Sequence, residues 1–145
     1  MAYFKFADAI INGKPIDVYN NGEMQRDFTY VDDIVEGIIR VLAKPAQANP
    51  DWDRNHPDPA TSSAPYRLYN IGNSSPVKLM DFIGALENSI GKKAVKNMLP
   101  MQAGDVLSTD ADMTDLEQNF HYQPQTDVQT GINRFVAWFR DFYKA

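Results

Sequence analysis

Cysteine is absent from the 145-residue chain, which removes disulfides and thiolate metal sites from consideration. Its absence fits a reducing compartment, and the expected location is the cytoplasm. Positive charge is scarce: 14 Lys and Arg stand against 19 Asp and Glu, for a net charge of −5. No basic stripe occurs, so no nucleic-acid partner is expected. No apolar run reaches membrane-spanning length and no signal peptide is visible at the start, so no membrane partner is expected either. The only two histidines, His56 and His121, lie far apart in sequence, and the aspartates between 105 and 112 lack a calcium-loop pattern. A metal site is therefore not expected. What remains is the composition of a globular chain, 43% hydrophobic and 23% charged, long enough for one modest domain with a usable core.

The most informative stretch runs from Asn20 to Asp33. Asn20-Asn21-Gly22 is turn chemistry, since Asn and Gly tolerate positive φ. Arg26 follows, then an aromatic and β-branched run, Asp27 to Val31, that reads as a strand. Asp33 and Glu36 have capping-box spacing, so the helix that carries Ile34, Ile38, Val41 and Leu42 is expected to start at Asp33 and to stop at Pro45. Capping accounts for both Asp32 and Asp33 and is preferred over acid/base or metal chemistry. Turn, strand and helix start would together fix one guanidinium in place, and a fixed planar cation suits a phosphate.

The flanking segments read as alternating helices and short strands. Phe4, Phe6, Ala7, Ile10 and Ile11 mark an amphipathic helix ended by Asn12-Gly13. Lys14 to Tyr19 alternates as a short strand, with Pro15 at its start suiting a sheet edge. Residues 45–65 hold five prolines and little apolar content except Trp52, which reads as a long surface loop. Tyr66 to Gly72 reads as a buried strand. Leu79, Phe82, Ile83, Leu86 and Ile90 mark a helix closed by Gly91, and Ala94 to Leu99 reads as another short strand. Leu99 to Asp112 reads as a loop, with Asp110 and Asp112 serving the following helix of Leu116 and Phe120. Thr126 with Gln129 suggests a second capping box, opening a helix whose face is Ile132, Phe135, Val136, Phe139 and Phe142.

The segments "FADAIINGKPIDVYNNG", "GEMQRDFTYVDDIVEGI", "YNIGNSSPVKLMDFIGALE" and "MQAGDV" occur in that order. Together they resemble the substrate-binding half of the extended short-chain dehydrogenase/reductases, the NAD-dependent epimerase/dehydratase family, and within it the nucleotide-sugar epimerases that act on UDP-glucuronate. The resemblance implies an α/β fold: the C-terminal part of a Rossmann-like protein, with about four to five helices and several short strands. It also implies a UDP-sugar ligand. Backbone groups near Asp17 would read the uracil edge and Tyr19 would lie against its face, although an ordinary edge strand with an exposed Tyr accounts for the same residues. Arg26 would hold the diphosphate, and Gln102 would sit near it. Asp105 would accept hydrogen bonds from the ribose hydroxyls, which an acceptor-only carboxylate can do with both oxygens. A turn with a solvated Asp explains that residue equally well from sequence.

The same family places the helix of residues 1–12 deep inside the protein. Residues 1–145 are therefore expected to be a C-terminal substrate-binding fragment, lacking the N-terminal Rossmann half. The Asp33 helix and the Tyr66 strand belong with that half and are expected to lose part of their packing. Family chemistry is hydride transfer through NAD at C4 of the sugar, which requires a Gly-rich turn and a Tyr-x-x-x-Lys pair. None of the seven tyrosines has Lys four residues later, and the eight glycines form no GxxGxxG. No catalytic residue and no NAD site are expected in this chain, whereas the parent would use NAD and form a homodimer. Two alternatives stay open: a non-catalytic interaction or assembly domain on the same scaffold, and part of a related dehydratase or decarboxylase.

Overall fold

Helix α1 (Ala2–Ile11) turns Ala7 and Ile10 inward and ends at Gly13, whose φ of 68° suits a residue without a Cβ. The protein is described over residues 2–145 in a computed structural model. Strand β1 (Pro15–Val18) follows and alternates as expected, with Ile16 and Val18 buried and Pro15 and Asp17 exposed. The chain then turns through Tyr19–Gly22, where Asn20, Asn21 and Gly22 take φ values of 49°, 50° and 82°. Strand β2 (Gln25–Arg26), helix α2 (Val31–Leu42), strand β3 (Val77–Lys78), helix α3 (Leu79–Ile90), strand β4 (Val95–Met98), helix α4 (Thr114–Phe120) and helix α5 (Val128–Tyr143) complete the α/β order.

Two small sheets organise these elements. β1 pairs in parallel with β4, in a register that sets Asp17 opposite Asn97, and β2 pairs antiparallel with β3, setting Arg26 opposite Val77. The main core lies between β1 and the helices α1, α3 and α5, where Ile83 and Leu86 meet Ile132 and Val136. Phe28 stacks on Phe82 with ring centroids 4.1 Å apart. Gly91, with φ 78°, closes α3. Just before it, buried Glu87 binds Lys93 at 2.8 Å, Lys96 of β4, and the Ala94 N–H at 3.1 Å. Burial alone would push this carboxyl upward, but the two ammonium groups and the amide hold it down at about 2.

A smaller cluster joins α2 to α4 around Met113, Leu116 and Tyr122. The buried Tyr122 hydroxyl donates to the Asp33 carbonyl at 2.9 Å. Most apolar residues of α2 have nothing over them: Val35, Ile38, Ile39 and Leu42 are exposed.

Several local expectations change. Residues 27–31 form no strand, because Asp27 and Phe28 are committed to loop and core contacts instead of a ladder, and α2 begins at Val31. Asp33 does not cap α2. It lies within the first turn and accepts from the Gln125 and Thr126 N–H groups at 3.2 and 3.1 Å. Helix α5 is capped by Asp127, which accepts from the Thr130 N–H at 2.8 Å, whereas Gln129 reaches Ala85 and Asn133. Residues 66–72 make only an isolated bridge, Thr61 to Arg67, and Tyr66 and Leu68 are exposed. A strand needs a neighbour to satisfy its ladder, and no other described strand pairs with this segment. Phe142 stacks on Trp138 at the surface and does not enter the core. Residues 45–65 carry no helix; side-chain turns at Asn49, Asp53 and Asp58 hold the backbone.

Candidate functional site

The two-residue strand β2 is the hub on which the loops around it converge. Its N-terminal side is fixed by the left-handed turn, which Glu23 N–H closes onto the Asn20 carbonyl at 2.9 Å while the Asn20 amide donates to the Glu23 carbonyl at 2.8 Å. Its far side carries the loop 99–112. The Gln25 N–H donates to the Leu107 carbonyl at 2.8 Å, and the Asp27 N–H to the Thr109 hydroxyl at 3.2 Å.

Arg26 sits at that junction. One terminal nitrogen donates to the Gln25 carbonyl at 2.8 Å and the Leu107 carbonyl at 3.4 Å, and the other donates to Asp105 Oδ1 at 2.7 Å. Both side chains remain partly open, at 26% and 34% exposure, so the pair is reachable from solvent. Asp105 is aimed by a turn in which its N–H donates to the Gln102 carbonyl at 3.2 Å and Gly104 takes φ 83°. The sequence thus placed a cation and a carboxylate seventy-nine positions apart, and the fold brings them into direct contact.

The remaining expected site residues have partners of their own. Gln102 is exposed and contributes its carbonyl to that turn. Asp17 accepts from the Asn97 amide across the strand pair at 2.8 Å. The Val18 carbonyl faces β4, where it accepts from the Leu99 N–H at 2.9 Å. By strand alternation the Asp17 backbone faces the opposite edge, and β1 has no second neighbour among the described residues. One N–H and one C=O are therefore presented side by side. Tyr19 is half-buried at the start of the turn.

Sequence reasoning missed Asp27. Its carboxylate accepts from the backbone N–H groups of Asn73, Ser74 and Ser75 at 2.9, 3.2 and 3.4 Å. Gly72 makes this approach possible, since a Cβ there would lie 2.7 Å from Asp27 Oδ2 and collide with Ala111. A Gly-Asn-Ser-Ser run was the available signal, because consecutive amides in a turn form an anion nest. Arg26 and Asp27 thus clamp two different loops.

Two cavities flank this region. A cleft of about 580 Å³ opens between Asn20–Gln25, Lys78, Met80, Leu107 and Ser108. The other, about 240 Å³, is walled mainly by apolar side chains such as Phe28, Phe82, Ile132 and Phe135 and offers no cation. The described residues do not fit a dinucleotide cradle. The residues capping the N-termini of α2, α3, α4 and α5 are Tyr30, Lys78, Met113 and Asp127, so none of these helices opens from a glycine turn that would admit a pyrophosphate.

Residues 1–72 match the model of the NAD dependent epimerase/dehydratase family. Protein CapI of Staphylococcus aureus is 54% identical over 144 residues, covering 99% of this chain and 43% of CapI. A probable UDP-glucuronate 4-epimerase of Rhizobium meliloti is 44% identical over 145 residues, covering 99% of this chain and 42% of that protein. Among solved structures, the UDP-glucuronic acid 4-epimerase of Bacillus cereus, in complex with UDP-glucuronic acid and NAD, superimposes with a TM-score of 0.77 at 25% identity. That match covers 99% of this chain and 40% of the other. The chain thus spans about two fifths of the length of these relatives.

Proposed function

The chain belongs to the NAD dependent epimerase/dehydratase family, and on that premise we propose that it is the UDP-sugar-binding portion of a nucleotide-sugar epimerase. The whole protein would interconvert UDP-glucuronate and UDP-galacturonate, using NAD for hydride transfer at C4, and would act as a homodimer. This chain supplies the grip on the nucleotide and is not catalytic by itself.

Arg26 takes the diphosphate, because a guanidinium presents parallel donors to two phosphate oxygens. Asp105 takes the ribose hydroxyls, Gln102 lies by the pyrophosphate, and Tyr19 covers the base. The free N–H and C=O of Asp17 complement the acceptor–donor edge of uracil. One observation carries the reading: a cation and a hydroxyl acceptor, distant in sequence, are held together at 2.7 Å on one open surface. Calorimetry with UDP tests it. Arg26→Ala is expected to weaken binding by about 1.5–3 kcal/mol, the range for a charge-assisted hydrogen bond. Equal affinity of the two proteins would remove Arg26 as the anchor.

A second reading is favoured by the uncovered apolar residues Val35, Ile38, Ile39 and Leu42 of α2. On it, the chain is a non-catalytic interaction or assembly domain. On the epimerase reading the same face is covered by the N-terminal Rossmann half. The two separate on nucleotide affinity, which an interaction domain does not need. A dehydratase or decarboxylase parent would keep the nucleotide grip and differ in how it treats the sugar.

A further inference from the structure

In this structure the two groups assigned to the nucleotide are occupied with each other. Asp105 Oδ1 receives the Arg26 guanidinium at 2.7 Å and the Val106 N–H at 2.9 Å, and the other terminal nitrogen of Arg26 serves two carbonyls. A bare anion approaching Arg26 meets a cation already neutralised by a carboxylate, and must also repel that carboxylate. A ligand with a vicinal diol meets something different. It brings two hydroxyl protons, one for each carboxylate oxygen of Asp105, so the second competes with the guanidinium for Oδ1.

We propose that Asp105 gates Arg26: the phosphate site is closed to free phosphate or pyrophosphate and is opened by the ribose hydroxyls of a nucleoside. The proposal rests on the nucleotide-binding reading above and adds a specificity rule to it. Two further features suit this role. Asp105 sits on a turn that carries a left-handed glycine and exposed neighbours, Val106 and Leu107, and is not locked in the core. Arg26 is anchored by carbonyls on β2 and on Leu107, so it stays in place while the carboxylate changes partner.

Gating predicts a coupling between two halves of one ligand. If a nucleoside diol draws Asp105 away, uridine must raise the affinity for pyrophosphate, and pyrophosphate must raise the affinity for uridine by the same factor. The test is calorimetric titration of this chain with inorganic pyrophosphate, alone and in saturating uridine. Uridine is expected to tighten pyrophosphate binding about fivefold, the upper end for releasing a partly exposed ion pair. 2′,3′-Dideoxyuridine, which has no diol, is expected to leave it unchanged. In Asp105→Asn, pyrophosphate alone is expected to bind more tightly than to wild type, and the uridine effect is expected to vanish. A gain in pyrophosphate affinity without any uridine coupling in wild type would overturn the gate, since loss of a negative charge alone produces that gain. Uridine that weakens or does not alter pyrophosphate binding to wild type would overturn it as well. If UDP binds Arg26→Ala as it binds wild type, the site assignment itself fails. If Arg26→Ala weakens UDP while uridine coupling is absent, the assignment stands and the gate alone falls.

Discussion

Helix α3 keeps Phe82, Ile83, Leu86 and Ile90 almost wholly out of water, whereas α2 leaves Val35, Ile38, Ile39 and Leu42 between 46% and 76% exposed. Both helices are twelve residues long and both carry apolar residues at helical spacing. The difference lies in what each meets. α3 lies against α1 and α5, which close over its apolar side. α2 is held mostly by polar ties. Asp33 binds the Gln125 and Thr126 amides, Arg40 donates to the His121 carbonyl at 2.6 Å, and Arg134 reaches Asp32 at 3.3 Å. Helical period therefore identifies a helix and its apolar face, but burial of that face depends on a partner the period does not specify.

The contrast can be broken most severely at Leu86. Leu86→Ala removes a fully buried side chain and is expected to cost about 3–5 kcal/mol, the range for a core cavity; a denaturant midpoint measures it, and a cost below 1 kcal/mol would mean the α3 core collapses around the gap. Acid acts next, and on the same side of the molecule. The Glu87 carboxyl is held at about 2, below its usual 4.5, so the folded state takes up its proton less readily than the unfolded chain. Its contribution, about 2–3 kcal/mol, is fully present above pH 4.5 and is lost as the pH falls towards 2. Stability measured against pH should flatten over that window in Glu87→Gln, and an unchanged slope would assign the acid sensitivity elsewhere. Asp33→Ala leaves the Gln125 and Thr126 N–H groups without their acceptor and is expected to cost about 2 kcal/mol. Hydrogen exchange should report that loss as opening of α2 ahead of α3; equal protection of the two helices would show that α2 is not the weaker unit. The smallest effect is expected on the uncovered face, where Ile38→Ala should change stability by less than about 0.5 kcal/mol. The same substitution should reduce self-association in sedimentation, because an apolar patch seeks cover.

The legible and illegible parts of the sequence divide along the same line. Local rules placed α1, α3, β1 and β4 well, because Gly13, Gly91, Pro15 and the alternation of Ile16 and Val18 act within a few residues of themselves. Arg26 and Asp105 were legible as candidates through their motifs, but their mutual contact was not, since it depends on loop 99–112 aligning beside β2. The two capping boxes misled for one reason. Their spacing assigns Asp33 and Gln129 to their own helices, and each instead crosses to another segment. Asp27 escaped notice because its three partners lie nearly fifty residues away, behind a glycine whose necessity appears only when Ala111 is seen beside it.

The order of residues 26 and 27 has a consequence of its own. A cation holds one loop and an anion, the very next residue, holds another. Slide the chain one position forward and the guanidinium lands among three amide protons; slide it one position back and the carboxylate meets a carboxylate. The dipeptide therefore works as a frame marker: opposite charges on adjacent residues fix which position of the strand faces which loop.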